Sequence, residues 1–183
     1  MILHAGQAHM AEVGFARFSA RTVAKRIGYS IGTIHNVIGS NDRLILAINT
    51  RTFEHWANDL RGRLAAAGSD RISALVEGYF GFASANTNLW LAIYDHRLPV
   101  GMAMPDADAA VRGTLTEIVV AEIARALSRD DDQAVMALAR SLIATVHGHC
   151  ALALNGSFAL MGEERPVAAA LARVQASLAA VER

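Results

Sequence analysis

One stretch, residues 18–44, FSARTVAKRIGYSIGTIHNVIGSNDRL, constrains this chain more than any other. Ser19 stands where its hydroxyl can cap a short helix from Ala20 to about Ile27, and Val23, Ala24 and Ile27 fall on one side of that helix. Gly28 supplies the left-handed residue that closes a helix without a Cβ clash. Ser30 caps a second helix over residues 31–38, in which Ile31, Ile34 and Ile38 share one face. Two short helices joined by a Gly-containing turn of three or four residues make a helix-turn-helix. The other face of the second helix carries Thr33, His35 and Asn36, polar groups of the kind that reach phosphates and base edges.

Charge distribution points the same way. The chain carries 17 basic and 17 acidic residues, but residues 1–50 hold five bases (Arg17, Arg21, Lys25, Arg26, Arg43) against Glu12 and Asp42. The remainder is net acidic. A basic end on a neutral-to-acidic body suits phosphate binding confined to that end, although charge alone equally fits a solvated helix face.

The region also resembles the N-terminal domain of TetR-family transcriptional repressors. Ile2 and Leu3 match the buried face of that family's first helix, and Gly14-Phe15 its end. Ser19, Arg21, Val23 and Ala24 match helix two; Gly28 and Ser30 match the turn. Gly32-Thr33-Ile34 matches the start of the recognition helix, and Ser40, Asp42 and Leu44 the start of helix four. Three positions depart from the pattern: His35 replaces the usual phosphate-contacting Tyr, Ile38 the usual Phe, and Asn41 the usual backbone-contacting Lys. The resemblance spans residues 2–46. It implies a DNA-binding domain over 1–46 and an effector-binding and dimerisation domain over 47–183. The expected DNA-contacting set is Ser19, Arg21, Arg26, Tyr29, Ser30, Thr33, His35, Asn36 and Asn41. The expected partner is a palindromic double-stranded operator bound by a homodimer and released by a small apolar effector; the alternative, suggested by His35 and Asn41, is a divergent small-molecule-binding protein of the same fold with weak or no DNA binding.

The rest of the chain reads as helices. Hydrophobic residues make up 53% of it with only 3 Pro, enough apolar surface for a core plus a pocket or subunit interface. About nine helices are expected, over residues 2–13, 20–27, 31–38, 41–66, 70–85, 87–97, 106–127, 131–154 and 166–182, with 157–165 as a loop. The class is therefore all-α, a three-helix N-terminal domain followed by a larger helical one. Val167, Leu171, Val174, Leu178 and Val181 alternate in steps of four and three, a heptad seam flanked by alanines. That seam fits ordinary packing within one subunit or, by family precedent, a dimer interface formed by the helices near 131–154 and 166–182.

Candidate effector contacts are Phe80, Trp90, Tyr94, Met102, Met104 and His149, an apolar set with one polar group, although aromatic spacing on a helix also fits plain core. No metal or cofactor is expected. His147 and His149 lie two residues apart on a helix and point in different directions, so they cannot share an ion. Asp95-His96-Arg97 reads as a helix end, with neither a nucleophile at recognisable spacing nor a Gly-rich phosphate loop nearby, so no enzyme is expected. The single Cys, the absence of a basic, apolar leader in ILHAGQAHM and the lack of about 18 continuous apolar residues suggest a cytoplasmic protein outside any membrane.

Overall fold

The computed structural model describes residues 1–181; residue 182, the expected end of the last helix, lies outside them. Among the described residues, ten α-helices and one 3₁₀ turn account for the regular structure. They are α1 (Ile2–Val13), the 3₁₀ turn Phe15–Arg17, α2 (Ala20–Arg26), α3 (Ile31–Ile38), α4 (Asn41–Ala66), α5 (Arg71–Ala85), α6 (Thr87–Asp95), α7 (Asp106–Ala126), α8 (Gln133–Leu154), α9 (Ser157–Leu160) and α10 (Pro166–Val181). The all-helical expectation holds. The extra helix is α9, a single turn in the segment expected to be a loop. Gly156, at φ 79°, turns the chain out of α8, and the Asn155 side chain accepts from the Ser157 amide at 2.9 Å to start α9.

Two compact units form. The first comprises residues 1–55 and 86–112. Its core gathers Met10 from α1, Val23 and Ala24 from α2, Ile34 from α3, Leu44 and Ile48 from α4, and Leu89 and Ala92 from α6. A small residue permits this convergence: a Cβ on Gly6 of α1 would lie 2.8 Å from Ile48 Cδ1. Long-range hydrogen bonds fix α6 in place, since Asn88 Nδ2 donates to the Ala11 carbonyl at 2.7 Å and buried Asn49 Nδ2 to the Ala92 carbonyl at 2.9 Å. His96, just past α6, meets Asp42 in the first turn of α4 at 3.2 Å, so Asp95-His96-Arg97 is a helix end tied down by a carboxylate. At the start of α7, Asp108 accepts from the Thr50 hydroxyl at 2.6 Å, and the Arg112 guanidinium lies 5.2 Å from the Phe53 ring centroid.

The second unit comprises residues 56–85 and the chain from Gly113 onward. Helices α5, α8 and α10 pack on one another. The sequence stripe of α8 is the buried one: Val135, Ala139, Leu142, Val146 and Cys150. By length and composition α8 could cross a bilayer, but this stripe is packed inside the unit. Asp132 caps it, accepting from the Val135 amide at 2.8 Å while pairing with Arg129, so the acidic run expected to start the helix does so from its last member. Trp56 stacks on Phe82 at 4.9 Å and meets the edge of Tyr79 at 4.8 Å. Gly78 lets α5 approach the later half of α4, where a Cβ would fall 2.6 Å from Leu60 Cδ2. Arg71 clamps the buried carboxylate of Glu122 through two hydrogen bonds of 2.5 and 2.6 Å and donates to the Leu64 carbonyl at 2.8 Å. That clamp holds the Glu122 carboxyl below its ordinary pKa, the Arg71 hydrogen bond outweighing the opposing effect of burial.

The heptad seam divides. Val174 and Leu178 are buried inside the chain's own second unit, Val167 and Leu171 are half-buried, and Val181 is exposed. Packing within one subunit thus uses the middle of the repeat.

Candidate DNA interface and candidate ligand cavity

The helix-turn-helix is built by its caps. Ser19 Oγ accepts from the Thr22 amide at 3.3 Å and opens α2. The Tyr29 amide donates back to the Ala24 carbonyl at 2.9 Å, a return that Gly28 permits by adopting φ 74°. Ser30 Oγ accepts from the Thr33 amide at 3.1 Å and lies 3.0 Å from Thr33 Oγ1, fixing the first turn of α3. Ser40 Oγ accepts from the Arg43 amide at 3.1 Å to open α4.

Burial then divides α3 into two faces. Ile34 is fully buried, and Ile31 and Ile38 are half-buried against the same core. His35 and Asn36 are exposed, and Thr33 is half-buried. Tyr29, Ser30 and Asn41 are also exposed, as are Arg21 and Lys25 on α2. Ser19 is half-buried in its capping role. Arg26 is exposed but engaged: its guanidinium meets the Glu12 carboxylate at 2.9 and 2.6 Å. That bond raises the Arg26 pKa and lowers that of Glu12. A phosphate arriving at Arg26 would meet a guanidinium already paired with Glu12, a contact between residues fourteen apart that no local pattern announces.

Sequence reasoning passed over one residue here. Val37 is 65% exposed on α3, in the same row as Thr33 one turn earlier. Its helical spacing is plain in the sequence, but its apolar type points to the core.

The expected effector contacts divide between the two units. Trp90, Tyr94, Met102 and Met104 belong to the first unit, and Phe80 and His149 to the second. Trp90 is core, its ring 5.0 Å from that of half-exposed Tyr94; Met102 and Met104 are half-buried in the loop before α7. His149 Nδ1 donates to the Thr145 carbonyl at 2.8 Å, and its ring abuts Phe158. His147 faces Tyr79 instead, with Nδ1 2.9 Å from the phenol oxygen, and burial pushes its pKa down. The two histidines therefore meet different helices.

An apolar cavity does occur in the second unit. Its volume is about 40 Å³, and α5, α7, α8 and α10 line it with Ile72, Leu75, Val76, Tyr79, Val119, Ile123, Leu142, Ile143, Val146 and Val174. None of the six expected contacts lines it; Phe80 borders a separate surface groove with Ala153, Leu154 and Pro166. Four helices converge on this cavity, so no single helical stripe could have singled out its lining.

An all-helical protein with a capped helix-turn-helix in one unit and an apolar cavity in the other is the class that this geometry defines. The family described as tetracyclin repressor-like, C-terminal domain, matches residues 72–178, more than half of the chain. The chain belongs to this TetR family. HTH-type transcriptional regulators of Mycobacterium bovis and Mycobacterium tuberculosis are 25% identical to it over 114 residues, covering 60% of this chain and 49% of each relative. The chain thus aligns with about half the length of these curated relatives. Among solved structures, SCO4313, a protein assigned to regulation by its name, superposes with a TM-score of 0.73 at 22% identity, covering 94% of this chain and 92% of its own. A protein of unknown function from Rhodococcus sp. RHA1 superposes with a TM-score of 0.76 at 20% identity, covering 97% and 91%. At those identities the likeness establishes the fold.

Proposed function

We propose that this chain is a ligand-responsive DNA-binding transcriptional regulator that acts in the cytoplasm as a homodimeric repressor of a palindromic operator. One observation carries the reading: α3 is fixed by a serine cap at its start and a buried isoleucine at its centre, and it turns His35 and Asn36 to solvent, with Arg21 and Lys25 exposed on the preceding helix. A helix so presented fits the major groove, and a two-fold dimer would set two of them about one helical turn apart. Ser19, Arg21, Arg26, Tyr29, Ser30, Thr33, His35, Asn36 and Asn41 form the proposed DNA surface. Residues 1–46 act as the DNA-binding domain and residues 47–183 as the effector and dimerisation domain. The proposed dimer contact uses the outward faces of α8 and α10, since Val174 and Leu178 are occupied internally. The apolar character of the cavity lining, with Tyr79 its one residue that carries a polar group, supports a small apolar effector. Such an effector releases the operator by binding better to a dimer whose half-site spacing is wrong, a coupling of typically about 1–3 kcal/mol.

A second reading is a ligand-binding protein of the same fold with little DNA affinity. The Arg26–Glu12 pair favours it, because one of few cations near α3 is already neutralised. Footprinting on the DNA upstream of the protein's own gene separates the two. A two-fold symmetric footprint that persists at physiological salt supports the regulator. Protection that is uniform along the DNA and vanishes with modest salt supports the second reading.

A further inference from the structure

The outward side of α3 is not uniformly polar. Asn36 points opposite the buried Ile34 row, and Gly32 precedes it by one turn with only the Ser30 hydroxyl near its missing Cβ. Beside this polar, open row runs a second one, made of Thr33 and Val37. The Thr33 hydroxyl is already engaged by Ser30 at 3.0 Å, and Val37 offers nothing but methyl groups, 65% exposed. A lone exposed apolar side chain on a protein surface ordinarily needs no explanation. This one lies next to Asn36 on the face that the helix-turn-helix presents, where DNA base edges would lie. In the major groove each base pair shows its own pattern of donors and acceptors, and thymine alone adds an apolar group, the C5-methyl. An isopropyl group packed there gains from the methyl, and against a G·C pair it would strip water from polar edges without replacing their hydrogen bonds.

We infer that Val37 is a specificity-determining residue that reads a thymine C5-methyl beside the base pair read by Asn36. The inference rests on the DNA-binding reading and extends it to the chemistry of the operator: each half-site carries an A·T pair whose thymine methyl faces Val37. The Val37 side chain makes no hydrogen bond, so its contribution is apolar contact alone, sensitive to one methyl group and insensitive to salt.

The test uses the full chain and a randomised duplex pool, from which bound sequences are selected. Each thymine of the selected duplex is then replaced singly by 2′-deoxyuridine, which removes only the C5-methyl. At about 0.8 kcal/mol per buried carbon, a single replacement of the thymine that faces Val37 should weaken the wild type about fourfold. In Val37→Ala the same replacement should have almost no effect, while replacements elsewhere behave as in the wild type. Val37→Thr, which keeps a branched methyl, should retain part of the discrimination. Because Val37 is exposed, these variants should keep the wild-type circular dichroism and melting temperature. A selected sequence in which no thymine methyl matters, or in which the weakening is equal in wild type and Val37→Ala, overturns the role of Val37 and leaves the DNA-binding reading standing. No enriched sequence at all overturns the DNA-binding reading, and this inference with it.

Discussion

Filling the cavity of the second unit gives a prediction whose sign depends on whether the space exists. Val146 lines it from α8, and Val146→Ile adds one carbon pointing into a void of about 40 Å³. Voids of this kind cost roughly 24 cal/mol per Å³, so the whole cavity is worth about 1 kcal/mol of stability. Burying one additional carbon is worth about 0.8 kcal/mol, a similar figure reached by a different route. The variant should therefore be more stable by about 0.5–1 kcal/mol, raising the melting temperature by roughly 1–4 °C for a chain of this size. Were the lining already close-packed, the same carbon would force strained rotamers and cost about 1–3 kcal/mol instead. Thermal melts followed by circular dichroism decide between the two. A lower melting temperature for Val146→Ile would refute the cavity, and with it the proposed place of the effector. If the melting temperature rises, the variant should also resist release from DNA by any apolar effector that acts on the wild type, since the effector would have been deprived of its space.

Four further substitutions have outcomes that follow from particular side chains. Ile34→Ala removes three buried carbons at the centre of the first unit's core and should cost about 2–5 kcal/mol, read by urea denaturation; a cost below about 1 kcal/mol would mean that Ile34 does not anchor α3. Glu122, whose pKa is lowered chiefly by the Arg71 hydrogen bond, binds its proton more readily in the unfolded chain. Its contribution is thus present above the unfolded carboxyl value of about 4.3 and lost as pH falls through the lower folded value. Glu122→Gln should flatten the acid limb of the stability profile, and an unchanged limb would dismiss the clamp. If exposed Arg21 neutralises one phosphate as proposed, Arg21→Ala should flatten the log–log salt slope of DNA binding by about one unit. Arg26→Ala should flatten it less, because Glu12 already neutralises Arg26. Equal slopes for the two variants would mean that DNA displaces Glu12.

Much of this architecture was legible because its signals are local. The boundaries of α1, α3 and α4 coincide with those expected from apolar spacing, and the Ser19 and Ser30 caps are in place. Gly28 has the positive φ that its position demanded. Helix ends were less sharp: α6 stops at Asp95 and α8 begins at Gln133, each two residues short of the expected span, where caps compete over neighbouring polar residues. The one-turn α9 was invisible, since four residues carry no periodicity. What the sequence could not show lies between elements distant along the chain. The Arg26–Glu12 pair, the Arg71–Glu122 clamp and the His96–Asp42 contact each join residues whose spacing is set only by the tertiary fold. The cavity is the clearest case. Its lining alternates, residue by residue, with plain core on four helices, and hydrophobicity alone does not distinguish a side chain that touches its neighbour from one that falls short of it.

The central claim is that α3 reads DNA, and the most direct measurement is binding by three single variants, Thr33→Ala, His35→Ala and Asn36→Ala, to the best duplex selected by the wild type, across a salt series. Asn36→Ala should reduce base discrimination by about 1–3 kcal/mol at one position per half-site, the worth of a bidentate amide–adenine pairing, with the salt slope unchanged. His35→Ala should weaken all sequences alike if His35 contacts a phosphate as proposed, and Thr33→Ala should weaken binding by loosening the cap it shares with Ser30. If all three match the wild type in affinity, base preference and salt slope, α3 is not the recognition helix.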